Sequence, residues 1–266
     1  MVANNKFYEV FGYKPPKIAM IHLAGEDSVD RALREIGIYE QEGIDAIIVE
    51  NYHGSIFDVE RTLEKIKERG TKLVVGVNIL PNEYMVALDI ADRYGADFIQ
   101  LDHVAGRYQG AVFNVELYEE CREKYPEIAV LGGVWPKYYT LIQGSNLELD
   151  LKEGMERADA IVVTGEGTGV ETSIEKILQF RKIIDDFPLI VGAGVTQDNA
   201  HEQLENADGV IVGSSLKPFN QTDLMANRQN VMAFVDAAKV PINTAYVRKA
   251  IEKDIEKILA ILKRDG

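Results

Sequence analysis

One cysteine, Cys121, stands among the 266 residues. A lone thiol cannot build a disulfide framework, so the small stapled folds of secreted proteins are set aside. No apolar run approaches the roughly 20 residues that a membrane-spanning helix needs. The start, Met1 to Tyr13, lacks the basic-then-apolar layout of a signal peptide. The cytoplasm is therefore the expected compartment, and the Asn220-Gln221-Thr222 sequon has no glycosylating machinery to meet. Positive charge is also scarce, with 29 Lys and Arg against 43 Asp and Glu, a formal net charge of −14. Nucleic acid and anionic membranes are held by clustered Lys and Arg, so neither is expected as a partner. A small anionic metabolite is not excluded, because backbone amides and one or two cations suffice to hold it.

What is present is a repeat. Four times a helix-ending Gly or Ala leads into an Asp and a short apolar run: Asp45 into Ala46 to Val49, Asp97 into Phe98 to Leu101, Asp159 into Ala160 to Val163, and Asp208 into Gly209 to Val212. Four more apolar runs lie between them: Ile18 to Ile21, Leu73 to Val77, Ile128 to Leu131, and Leu189 to Val191. The runs are rich in β-branched residues and read as buried parallel strands. Helical patterns fall at about 27–42, 58–69, 82–94, 114–124, 148–157, 172–185, 197–206 and 224–238. Eight strand-helix units in a chain of 266 residues predict an α/β fold, a closed (β/α)8 TIM barrel. A doubly wound open sheet gives no reason for a fourfold repeat.

No low-complexity linker divides the chain, so residues 1–240 read as one barrel with a short N-terminal extension. Residues 241–266 read as an additional amphipathic helix, with Val247, Ile251, Ile255, Ile258, Leu259 and Leu262 on one stripe. That stripe covers a barrel end or joins a second subunit in a homo-oligomer.

Strand side chains alternate between faces, which divides each copy into two sets. Ile47, Val49, Ile99, Leu101, Ile161, Val163, Val210 and Val212 are uniformly apolar and suit the layer beneath the helices. Ala46, Ile48, Phe98, Gln100, Ala160, Val162, Gly209 and Ile211 mix small, large and polar, as a barrel interior does. Counting five residues from each Asp continues the second set to Glu50, Asp102, Thr164 and Gly213, which should point into the C-terminal mouth where active sites of this fold sit. The other strands supply His22, Asn78, Gly133 and Gly192 at comparable ends. Glu50 and Asp102 are the candidate acid/base pair with His22. Such chemistry needs two titrating groups whose environments push their pKa values apart. Asn51, Asn78, His103, Lys137 and Thr164 are candidate substrate ligands.

Two glycine loops leave adjacent strands, Gly192-Ala193-Gly194 and Gly213-Ser214-Ser215. Bare backbone lets an anion approach closely, and barrels commonly place phosphate on the loops after strands 7 and 8. These six residues are the candidate phosphate site. Lys217 could add charge there, although lysines near a helix start are usually solvated. A third loop, Thr164-Gly165-Glu166-Gly167-Thr168-Gly169, lacks GxGxxG order and looks like a mobile cover. His22, His53 and His103 lack HxH or HExxH spacing, so no cofactor is expected, with a divalent ion across Glu50, Asp102 and His22 as the weaker option.

The strings Met20-Ile21-His22-Leu23, Ile48-Val49-Glu50-Asn51, Gly76-Val77-Asn78-Ile79-Leu80, Ala158 to Gly165 and Asp208 to Lys217 together resemble the BtpA/SgcQ family over about residues 17 to 237. The resemblance implies a ribulose-phosphate-binding type of barrel, kin in architecture to phosphoribosylanthranilate isomerase. His22, Glu50, Asn51, Asn78, Thr164, Gly165, Gly213 and Ser214 match the family's strand ends. Strand 5 departs: Gly133-Val134-Trp135-Pro136-Lys137-Tyr138 stands where the family usually reads an Asp-Val-His-Val-Lys-His type of string, and only Val134 and Lys137 survive. One branch of the family is named for photosystem I biogenesis and others as candidate nucleosidases, so no settled reaction is implied. The expectation is an isomerase or lyase of a small phosphorylated sugar. Its rivals are a non-catalytic barrel that binds a metabolite or partner in assembly, and a nucleosidase-like hydrolase.

Overall fold

A computed structural model describes residues 5–239 and Ile255. Eight parallel strands, β1 (Lys17–His22), β2 (Ala46–Glu50), β3 (Val74–Asn78), β4 (Phe98–Leu101), β5 (Ala129–Gly133), β6 (Ala160–Thr164), β7 (Leu189–Gly192) and β8 (Gly209–Val212), pair in chain order, and β8 closes on β1. A short helix α1 (Lys6–Phe11) precedes them. After the strands come α2 (Ser28–Glu42), α3 (Ile56–Arg69), α4 (Tyr84–Tyr94), α5 (Val115–Lys124), α6 (Leu147–Arg157), α7 (Ile174–Ile184), α8 (Ala200–Asn206) and α9 (Arg228–Ala237). The chain is thus a TIM barrel. The stripe expected within residues 241–266 lies outside the described residues except for Ile255.

Helix starts are chemically marked. Asn114, Asn146, Ser173 and Asn227 each accept a backbone N–H of the first turn, and Ser55 and Asp58 form a reciprocal capping box on α3. Gly43 and Gly95 end α2 and α4 in left-handed conformation, at φ of 88° and 74°.

The repeated Asp has a mechanical role at the N-terminal end of the barrel. One carboxylate oxygen of Asp45 accepts the backbone N–H of Lys17, and Asp97, Asp159 and Asp208 do the same for Val75, Val130 and Leu189, at 2.8–2.9 Å. The N–H of each Asp returns a bond to the carbonyl of that same residue. Four odd-numbered strands are thus clamped to the even-numbered strands that follow them. Cations reinforce three clamps: Lys17 on Asp45, Arg122 on Asp159 and Arg181 on Asp208.

Parity divides the core as expected. Ile47, Val49, Ile99, Leu101, Ile161, Val163, Val210 and Val212 pack against the helices. Ala46, Ile48, Phe98, Ala160, Val162 and Ile211 form a separate interior cluster with Ile18, Met20, Ala129, Leu131 and Ile190. The interior is plugged from below by α1. Phe7 and Tyr8 are buried in this cluster, and Phe11 meets the Phe98 ring edge-on at 5.1 Å. At six residues α1 is too short to carry a periodic pattern in the sequence. Gly76 is bare of necessity, since a Cβ there would lie 2.3 Å from the Phe98 ring.

Asp208 is only 7 % exposed. Replacing it with Ala leaves the Leu189 N–H and the Arg181 guanidinium without their acceptor, and the expected loss is about 1–3 kcal/mol in urea unfolding. An unchanged midpoint would show that the clamp contributes nothing.

Candidate active site

All eight strands contribute to one pocket at the C-terminal mouth, of about 160 Å³. That is small beside the several hundred cubic ångströms of drug-sized sites and suits a small metabolite. Its walls include the strand-end residues His22, Glu50, Asn78, Asp102, Gly133, Thr164, Gly192 and Gly213, one from each strand or the position just after it.

One wall is a hydrogen-bonded carboxylate. Strand register sets His22, Glu50 and Asn78 side by side across β1, β2 and β3. The Asn78 amide donates to Glu50 Oε1 at 2.8 Å and to Gln100 Oε1 at 2.6 Å. Only this amide orientation puts donors against both acceptors. His22 Nε2 lies 3.8 Å from Glu50 Oε2, and among the described residues His22 Nδ1 and Asn78 Oδ1 are buried without a partner. Burial, with the negative charge of Asp102, raises Glu50 to about 7. His22 is pushed well below its ordinary value by burial, with Lys217 adding to the effect, so the imidazole is neutral at physiological pH.

Asp102 stands two strands from Glu50, and burial raises its carboxyl above the usual range. The Tyr139 hydroxyl lies 3.1 Å from Asp102 Oδ2 and 2.7 Å from the Pro81 carbonyl. Lys137 brings positive charge to this wall. Its backbone N–H donates to Thr164 Oγ1 at 2.8 Å and its ammonium to Thr168 Oγ1 at 3.1 Å. Trp135, at φ 52°, donates its indole N–H to Asp150 at 2.7 Å and anchors the turn that presents Pro136 and Lys137 to the pocket.

The opposite wall is backbone. Gly192, Ala193 and Gly194 line it with Gly213 and Ser214. Ala193 and Gly194 both have positive φ, at 75° and 67°. Asn199, the N-cap of α8, holds this turn, accepting the Thr196 N–H and donating to the Gly194 carbonyl. The glycine loop after β6 is not detached: a Cβ on Gly194 would lie 2.3 Å from Val170 and Glu171 backbone, so that loop packs on the β7 turn and brings Thr168 and Gly169 into the pocket. Gly213 also makes room for the His22 ring, whose Cε1 would lie 3.0 Å from a Cβ there.

Other expected residues sit apart. Asn51 is turned away, its Oδ1 accepting the Leu80 N–H. His103 is 2 % exposed and packed among Tyr108, Phe113 and Tyr139. Ser215 donates to the Val195 carbonyl, behind the pocket. Lys217 is neither solvated nor free for a ligand: fully buried, it pairs with both oxygens of Glu35 at 3.1 and 3.3 Å. Among the described residues no three His, Cys, Asp or Glu side chains gather as a metal site, so an ion across Glu50, Asp102 and His22 has no geometric support. Gln100 and Tyr139 join the site without having been expected.

A model of the BtpA family matches residues 17–240. The chain belongs to the BtpA family. An uncharacterized protein of Pyrococcus abyssi is 33% identical over 236 residues, covering 78% of this chain and 89% of that relative. The photosystem I biogenesis protein BtpA of Synechocystis is 29% identical over 258 residues, covering 86% and 90%. A relative from Caenorhabditis elegans, 28% identical over 209 residues, is described as mitochondrial. Among solved structures, Mycobacterium tuberculosis tryptophan synthase aligns at a TM-score of 0.64 and 15% identity, covering 89% of this chain and 97% of that one. N-(5'-phosphoribosyl)anthranilate isomerase from Pyrococcus furiosus aligns at 0.55 and 18%, covering 84% and 98%. At such identities the structural likeness is one of fold. No described helix of this BtpA-family chain is long and apolar enough to cross a membrane.

A carboxyl whose folded pKa is raised holds its proton longer in the native state than in the unfolded chain. Stability from Glu50 is then fully present below its unfolded pKa and is lost as pH rises through about 7. Glu50→Gln should remove that decline, gaining up to roughly 3 kcal/mol at pH 8 relative to the parent difference at pH 4. Chemical unfolding at several pH values checks this, and parallel pH curves for the two proteins would contradict it.

Proposed function

We propose that this chain is an enzyme acting on a small phosphorylated metabolite, as an isomerase or lyase of a sugar phosphate. The observation that carries the reading is one pocket with two unlike walls. One wall holds Glu50 and Asp102, buried carboxyls that are both raised above the usual carboxylate range, Glu50 to about 7. The other is bare backbone at Gly192–Gly194 and Gly213–Ser214, with Gly169 beside it. Phosphate held on the second wall leaves the carbon chain lying over the first. Lys137, the ammonium on the carboxylate side, suits the negative charge that develops on a carbonyl oxygen during proton abstraction. His22 and Asn78 present neutral polar atoms that orient hydroxyl groups.

The likeness in fold to N-(5'-phosphoribosyl)anthranilate isomerase supports the phosphate half of this reading. Photosystem I biogenesis is said of the Synechocystis relative, and Lys137, kept on the altered strand 5, stands in the pocket as a catalytic reading needs.

Phosphate and sugar phosphates should raise the melting temperature of the protein by mass action. Ser214→Asp, which puts an anion where the phosphate sits, should abolish that rise while the variant stays folded. A folded Ser214→Asp protein that is stabilised as before would move the phosphate elsewhere. Against a panel of pentose and triose phosphates, Glu50→Gln and Asp102→Asn should each lower turnover by on the order of a hundredfold or more with binding largely kept. Full turnover in either variant removes that residue from the reaction.

A further inference from the structure

Glu50 and Asp102 differ in what the protein offers each of them. Glu50 faces a donor. The Asn78 amide points N–H groups at Glu50 Oε1 and Gln100 Oε1, which suits a carboxylate, an acceptor only when ionised. Asp102 faces a hydroxyl whose single proton has a better claimant. Tyr139 Oη is 2.7 Å from the Pro81 carbonyl and 3.1 Å from Asp102 Oδ2. Two acceptor oxygens do not stand 2.7 Å apart without a proton between them, so the single phenolic proton lies on the Pro81 contact, and what Tyr139 turns toward Asp102 is a lone pair. With that proton on Pro81, an ionised Asp102 would set oxygen lone pairs against each other at 3.1 Å. A protonated Asp102 donates to Tyr139 and satisfies both groups. The ring cannot swing aside cheaply, since it packs against His103 and Tyr108 with centroids at 5.0 and 5.3 Å.

We infer that Tyr139 is a positioning residue that holds Asp102 as the neutral acid of the site, leaving Glu50 as its base. The inference rests on the enzymatic reading above and assigns the two roles within it. Burial, which holds Asp102 above the usual carboxylate range, favours the same neutral form, whereas the Lys137 charge, and Tyr139 wherever it donates instead, favour the carboxylate. With Asp102 neutral, burial is left as the main cause that raises Glu50, so Glu50 ionises somewhat below the value of about 7 that it has beside a charged Asp102.

For a sugar phosphate isomerisation the protons then balance. Glu50 takes the proton from the carbon beside the carbonyl, and the electron pair of that C–H bond becomes the C=C bond of an enediol. The carbonyl π pair moves to oxygen and takes the proton of Asp102. In the second half Glu50 returns its proton to the neighbouring carbon, and the Asp102 carboxylate recovers one from the hydroxyl that becomes the new carbonyl. Nothing is oxidised or reduced overall, and both residues end as they began.

Carboxyl 13C NMR titration of the full chain labelled at aspartate tests this without a substrate, the Asp102 resonance being the one lost in Asp102→Asn. The native midpoint should lie above the ordinary aspartate value, and in Tyr139→Phe it should fall by about one pH unit, because the neutral acid loses its acceptor. A midpoint that stays or rises in Tyr139→Phe would mean that Tyr139 donates to an ionised Asp102, and the inference fails. Should Tyr139→Phe not fold, the native titration decides, and a midpoint at or below the ordinary value overturns the assignment. Lack of turnover with every sugar phosphate leaves the titration untouched and counts against the enzymatic reading alone.

Discussion

In a parallel sheet closed into a barrel, every second side chain of every strand must point inward, and register decides which ones reach the same level. The rest of this structure depends on that constraint. The four aspartate clamps fix register at the N-terminal end by tying Lys17, Val75, Val130 and Leu189 to the strands that follow them. Once those bonds are made, a one-residue slip would send a whole strand's apolar set to the wrong side. Structure at one end of the barrel therefore sets the chemistry at the other, about five residues along each even strand.

The two ends divide their tasks as this fold usually does, with stability below and function above. Below, α1 drives aromatic rings into the apolar interior and against Phe98, whose own ring lies over Gly76. Above, the interior layer turns polar and the loops lie close. The loop after β6 rests on Gly194, the turn after β5 is anchored through Trp135 to Asp150, and the segment after β8 is locked to α2 by the buried Lys217–Glu35 pair. Among the described residues, two of the five buried polar atoms without a partner, His22 Nδ1 and Asn78 Oδ1, belong to this carboxylate wall.

Much of this was legible in the sequence because parity and repetition are properties of position. Counting from Asp45, Asp97, Asp159 and Asp208 reached the pocket residues Glu50, Asp102, Thr164 and Gly213 before any coordinates. The same count said nothing of side chains that arrive from loops. Tyr139 reaches Asp102 from a segment without periodicity, and its role depends on a carbonyl at Pro81, 58 residues away in the chain. Gln100 carried a faint signal, a polar residue in an otherwise mostly apolar interior layer. His103 and Asn51 misled by adjacency: each follows a residue that points into the mouth, and alternation turns each away, His103 into an aromatic cluster and Asn51 toward the Leu80 N–H. Lys217 misled for a different reason, since its partner Glu35 lies on α2 and no local pattern joins them.

The central claim is that one mouth holds a phosphorylated carbon chain between a backbone cradle and a carboxylate wall. A crystal of the Glu50→Gln protein, slowed in turnover, soaked with a pentose or triose phosphate, tests it most directly. The account predicts phosphate density against the backbone of Gly192–Gly194 and Gly213–Ser214 with the carbon chain extending over residue 50 and Asp102. Phosphate seated anywhere else in a crystal whose mouth is open to solvent, or a mouth that stays empty at saturating ligand, would contradict it.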